Sequence, residues 1–112
     1  MEKELLKTLL RMRVSVLFRQ IPPVRAKDRT GEVKTFSVSG TYDWEHTIVL
    51  DLRKNTNPAR NFLHELLHRY LGQDVSETEV IRQERKLWRS MTQYERWLTY
   101  RILFGRDWKD EP

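Results

Sequence analysis

Cysteine is absent from this chain. Disulfides and thiolate metal sites are therefore excluded, and any transition metal must be held by nitrogen and oxygen. Glycine and proline are scarce, four of each in 112 residues, which argues against a disordered or low-complexity chain. No apolar run approaches the length of a membrane span, so the membrane is not an expected partner. Met1-Glu2-Lys3-Glu4 lacks the charged and apolar pattern of a secretory leader, and the expected compartment is the cytoplasm. Histidine is also rare. There are three, and their positions carry most of what the sequence says about function.

What is present is charge and aromatic bulk. A charged fraction of 33% is high for a globular domain, but four Trp, four Tyr and four Phe supply core material. The length suits one domain over residues 1–112, with no room for a second core. The net charge of +5 is scattered, with no long basic run. It reads as a solvated surface, with nucleic acid as the alternative partner.

Periodicity divides the chain. Leu5, Leu6, Leu9 and Leu10 fall at helical spacing, so residues 2–10 read as a short amphipathic helix. Val14, Val16 and Phe18 alternate as in a strand, which Pro22-Pro23 ends. Residues 24–32 read as a loop or hairpin turn, 33–38 as a second strand and 40–45 as a connection rich in Tyr and Trp. His46 to Leu52 is the clearest strand, with Ile48, Leu50 and Leu52 on one face. Three helices follow. The first covers 58–71, with Asn57 as N-cap, Pro58 in the first turn and Gly72 past the end. The second starts at the capping box Ser76…Glu79, and the third, over 93–104, at Thr92…Glu95. Residues 107–112 read as a loose acidic tail. The expected fold is α+β: an N-terminal helix, a small three-stranded sheet, then three helices.

The first of those three helices contains His64-Glu65-Leu66-Leu67-His68. Positions i and i+4 lie one turn apart on one helix face, so both imidazoles can reach one metal ion, with Glu65 beside them. This is the His-Glu-x-x-His arrangement in which the histidines bind zinc and the glutamate is the general base. Phe62, Leu63, Leu66, Leu67 and Tyr70 form an apolar stripe to be buried, and Asn61, His64, Glu65 and His68 form a face expected to be open.

A catalytic zinc takes three protein ligands, so one more is needed. The candidates are Glu77, Glu84, Glu79 and His46. Glu79 has a capping role to fill, and His46 opens a strand. Glu77, Val80, Ile81, Glu84, Leu87 and Trp88 share the face that should pack inward, where a carboxylate needs a partner. Glu77 is favoured and Glu84 is next. Tyr42 and Asp43 are candidates to bind substrate or to orient a zinc histidine. Trp88, Trp97 and Trp108 are expected to serve core packing.

The run from Thr47 to Trp88 resembles the core of small zincin-type metallopeptidases: a strand at Thr47–Asp51, the His-Glu-Leu-Leu-His helix, then Ser76-Glu77-Thr78-Glu79-Val80 opening the next helix. The small size makes it similar to minimal gluzincins and to the repressor-cleaving peptidase modules of the ImmA/IrrE type. The resemblance implies a zincin-like fold with one zinc ion held by His64, His68 and Glu77. It also implies hydrolysis of a peptide or protein substrate with Glu65 as general base. On that reading the Ile48 strand is expected to form the edge along which an extended substrate lies, pairing through its backbone. Larger members of the clan carry an Asp four residues after the third ligand; here Ile81, Gln83 and Trp88 stand at that spacing from Glu77, Glu79 and Glu84. The alternative is a binding or regulatory module of the same fold, associated with nucleic acid and without proteolysis. A third expectation is latency, with the acidic tail folded over the metal site.

Overall fold

The leucines of the N-terminal segment dictate the first element, α1 (Glu2–Leu10): Leu6 and Leu9 turn inward and are buried. The structure is a computed structural model that describes residues 2–54 and 57–105. Strand β1 (Ser15–Phe18) follows, then β2 (Val24–Lys27), β3 (Val33–Phe36), β4 (Gly40–Tyr42) and β5 (Thr47–Leu50), and then helices α2 (Pro58–Leu71), α3 (Glu77–Ser90) and α4 (Gln93–Gly105). The class is α+β, and the order of helix, strands and three helices is the one expected.

The sheets differ from the expectation in membership. The three-stranded sheet has the order β1-β5-β4. β1 runs parallel to β5, in register Ser15↔Thr47 to Phe18↔Leu50, and β4 runs antiparallel to it, from Gly40↔Leu50 to Tyr42↔Ile48. β3 is not part of this sheet; it pairs with β2 in a separate antiparallel ribbon. The turn of that ribbon is local chemistry. The Asp28 carboxylate accepts from the Thr30 amide and hydroxyl and from the Glu32 amide, and Gly31 supplies the positive φ of 88°. β5 is the central strand, not an edge, because β4 covers the side that the sequence left free. β5 buries Ile48 and Leu50 on alternate positions.

α2 lies at the centre of the molecule. Phe62, Leu63, Leu66 and Leu67 are fully buried, in one core with Leu9, Val16, Ile48, Leu50, Val80, Leu87 and Leu103. Its ends are fixed as the caps require. The Asn57 carboxamide accepts from the Arg60 amide at 3.2 Å, and Gly72 closes the helix at φ 97°. At α3, Ser76 accepts from the Glu79 amide, but the Glu79 carboxylate turns to Arg82 and Gln83. The Thr92–Glu95 box at α4 is reciprocal, with distances of 2.8 and 3.1 Å.

One expectation fails on α4. Trp97 is not core: it is 52% exposed and stands beside exposed Tyr94, with Arg101 over its ring. Inward burial on this helix is carried by Thr99 and Leu103. Trp88 does pack against the core. Trp108 and the acidic tail lie outside the described residues. Among the described residues, no helix is long and apolar enough to cross a membrane.

Candidate metal centre

The polar face of α2 is not open as expected. His64 and Glu65 are 9% and 5% exposed. β4 covers this face from one side and the start of α3 from the other, leaving a cleft of about 520 Å³. It is bounded by Ser37 to Tyr42, Trp44, Asn61, His64, Glu65, His68 and Glu77. A wider depression of about 740 Å³ follows Arg82, Arg85, Lys86 and Arg89 on α3 and includes no residue of the motif.

α3 brings Glu77 to the two imidazoles. Its Oε1 lies 2.6 Å from His64 Nε2 and its Oε2 lies 2.9 Å from His68 Nε2. One donor atom from each of the three residues falls within 4.8 Å of the others. Two turns further along the same helix, Glu84 approaches the opposite side of His64, with Oε1 3.0 Å from Nδ1. The other Glu84 oxygen accepts from Arg60 Nε, and Arg60 stands one turn before His64 on α2. His64 is thus held at both ring nitrogens by carboxylates of α3. Glu84 Oε1 accepts from His64 Nδ1–H, and this leaves Nε2 as the ring nitrogen that faces Glu77.

The electrostatics follow from this packing. Burial opposes charge on His64, but the hydrogen bond to Glu84 and the charges of Glu65, Glu77 and Glu84 outweigh it and raise its pKa. Burial lowers the pKa of His68, aided by His64 and opposed by Glu77. Glu84 is held below the usual carboxylate range: burial pushes it up, but His64 and Arg60 prevail. Glu65 is pushed up to about 7 by burial, and Glu77 adds to the effect while His64 opposes it.

The residues fit a zinc ion. The donor set is two imidazole nitrogens and one carboxylate oxygen, which zinc accepts and which leaves a fourth position free. His64 carries the carboxylate partner that zinc-ligating histidines usually have. His68 Nδ1 is buried without a hydrogen-bond partner among the described residues, so the polar contact of this ring runs through Nε2 toward Glu77.

The other candidates stand apart. Glu79 is committed to Arg82 and Gln83. His46 is exposed, and its backbone serves the turn, donating to Asp43 and accepting from Ser15. Tyr42 and Asp43 do not orient a histidine. Asp43 Oδ1 accepts from the amides of Glu45, His46 and Thr47, at 2.9, 3.0 and 3.0 Å. The Tyr42 hydroxyl donates to the Glu45 carbonyl and accepts from Arg69. The support of His64 comes instead from Glu84 with Arg60.

Two further residues shape the site. Gly40 lies where β4 crosses Glu65. A Cβ there would stand 3.0 Å from Leu50 Cδ2 and 3.3 Å from Glu65 Oε2. The missing side chain lets the strand run close over the carboxylate. Trp44 has φ 63°, a left-handed conformation that costs a bulky residue about 1–3 kcal/mol. Its ring meets His68 edge-on at 5.7 Å and Tyr42 at 5.2 Å. The sequence signal for Gly40 was a glycine beside a short polar strand, and for Trp44 an aromatic in a polar turn; neither spacing points to a site by itself.

Comparison of the chain with family models, curated proteins and solved structures yields no match.

Proposed function

We propose that this chain is a zinc-dependent peptidase with a zincin-like fold, in which His64, His68 and Glu77 hold one zinc ion and Glu65 is the general base. The observation that carries this reading is the Glu77 carboxylate set between the two Nε2 atoms, at 2.6 and 2.9 Å, with buried Glu65 next to them. Zinc in such a set supplies Lewis acidity for a carbonyl and brings the pKa of a water toward neutrality. Glu65 is suited to the proton transfers. Its buried carboxylate adjoins the two histidines on the same helix face, where it could accept a proton from water and give it to the departing amine. Glu84, fixed by Arg60, keeps the His64 ring in one tautomer and one orientation.

The substrate is an extended peptide lying along β4, not along β5. β4 is the sheet edge, and its antiparallel ladder uses Ser39 and Asp43 toward β5, through Asp51 N–H to Ser39 O and Asp43 N–H to Thr47 O. By alternation, the backbone groups of Gly40 and Tyr42 face away from β5 and are available to a peptide strand. The cytoplasm is the compartment we assign to it.

The exposed Tyr94 and Trp97, with Arg101 beside them, favour a second reading, in which the same fold binds nucleic acid without proteolysis. Salt-dependent binding by a zinc-loaded chain that cuts no peptide would mark that case. The direct test of the peptidase reading is Glu65→Gln. This variant is expected to keep its zinc and to lose hydrolysis by roughly 10²–10⁴-fold. A variant that cuts peptides as fast as the wild-type chain would overturn the assignment.

A further inference from the structure

We infer that Trp44 forms a specificity subsite that takes an aromatic or large aliphatic side chain of the peptide, on the residue next to the bond to be cut. This rests on the peptidase reading above and extends it to substrate class. Trp44 is 40% exposed, lines the cleft, and is not among the residues of the hydrophobic core. The hydrophobic core therefore does not account for an indole at this position, whose ring meets Tyr42 and His68 at the cleft. Its backbone is left-handed, where glycine or asparagine would turn the chain without strain.

The turn is nevertheless clamped in that conformation. Asp43 ties down the three amides that follow Trp44, and Tyr42 and Arg69 both donate to the Glu45 carbonyl. The clamp fixes the indole 5.7 Å from the His68 ring, beside the donor group. The cleft is chemically unlike at its two ends. Ser39 and Asn61, hydrogen-bonded to each other, make it polar one turn before His64, and Trp44 with Tyr42 makes it aromatic beside His68. A peptide spanning the cleft thus meets apolar surface on one side of the reacting position only, which selects a side chain that packs on an aromatic wall.

The test uses the full chain loaded with zinc and two synthetic peptides that differ only in Phe against Ala at one central position. Binding is measured by calorimetry on Glu65→Gln and on Glu65→Gln/Trp44→Asn, asparagine being chosen because it tolerates the left-handed turn. The Phe peptide is expected to bind the double variant up to roughly tenfold more weakly, and the Ala peptide equally well to both. Zinc content is expected to match in the two, and Trp44→Phe to restore the difference. Equal loss for both peptides, no loss, or no binding of the Phe peptide to Glu65→Gln would overturn the inference. Cleavage by the wild-type chain separates the two claims. If it cuts with no preference for Phe, the subsite falls and the peptidase stands. If it cuts nothing while Trp44-dependent binding persists, Trp44 stands as a binding site for an aromatic side chain, and its place beside a cut bond falls with the peptidase.

Discussion

Glu77 and Glu84 stand two helical turns apart on α3, and that spacing divides their work. Glu77 meets the Nε2 atoms of both histidines, while Glu84 meets His64 Nδ1 and Arg60. The division was only half legible in the sequence. Helical spacing put both carboxylates on the face of Val80 and Leu87, which are buried, but Glu77 at the helix start keeps 59% of its side chain exposed. Which of them reaches the imidazoles depends on where α3 crosses α2, and no local pattern encodes a crossing point. Arg60 was legible only as a helix residue, because its partner is 24 residues away. If Glu84 acts on the metal through His64, Glu84→Gln should bind zinc about 10–100-fold more weakly than wild type and still bind it. A competition titration against a chromophoric chelator measures this. Unchanged affinity would show that the Glu84 charge does nothing for His64.

The helices were readable as elements because each carries its own punctuation. Asn57 and Gly72 bound α2, and Thr92 and Glu95 cap α4 by exchanging hydrogen bonds. The strands were not readable to the same degree. β2 is Val-Arg-Ala-Lys, half charged and set in an exposed ribbon, so it lacks the apolar alternation of a strand packed on a core. β4 has three residues, too few to show any period, and its pairing with β5 is decided by tertiary register. This hidden strand walls the site, and Gly40 is the residue that lets it approach. Gly40→Val should destabilise the fold by about 1–3 kcal/mol through overpacking against Leu50. It should also lower peptide hydrolysis by displacing Glu65, while zinc content stays at the wild-type level. Denaturant unfolding, metal analysis and an activity assay on the same preparation check all three. Full activity in Gly40→Val would remove the strand from the account of Glu65.

At the scale of the molecule, the site depends on how the sheet and the β1–β2 connection are tied together. Asp51 is the knot. It is 1% exposed, follows the central strand, and accepts from the Ile21 and Arg53 amides and from the Arg53 guanidinium. The hydrogen bonds from Arg53 and Ile21 hold its pKa far below the ordinary 3.8. A carboxylate with a lowered folded-state pKa contributes stability above its unfolded pKa and loses that contribution as pH falls toward the folded value. Wild type should therefore lose melting temperature as pH falls below about 4. Asp51→Asn should melt lower than wild type at neutral pH and converge on it in strong acid. Parallel melting curves for the two across that range would contradict this role. The proposed chemistry, however, turns on the three side chains that α2 and α3 bring together, and metal analysis of the dialysed chain is the decisive measurement. One zinc per wild-type chain is expected, lost in His64→Ala, His68→Ala and Glu77→Ala and retained in Glu79→Ala and His46→Ala. Zinc bound equally well by wild type and Glu77→Ala, or no zinc bound by wild type at all, would contradict it.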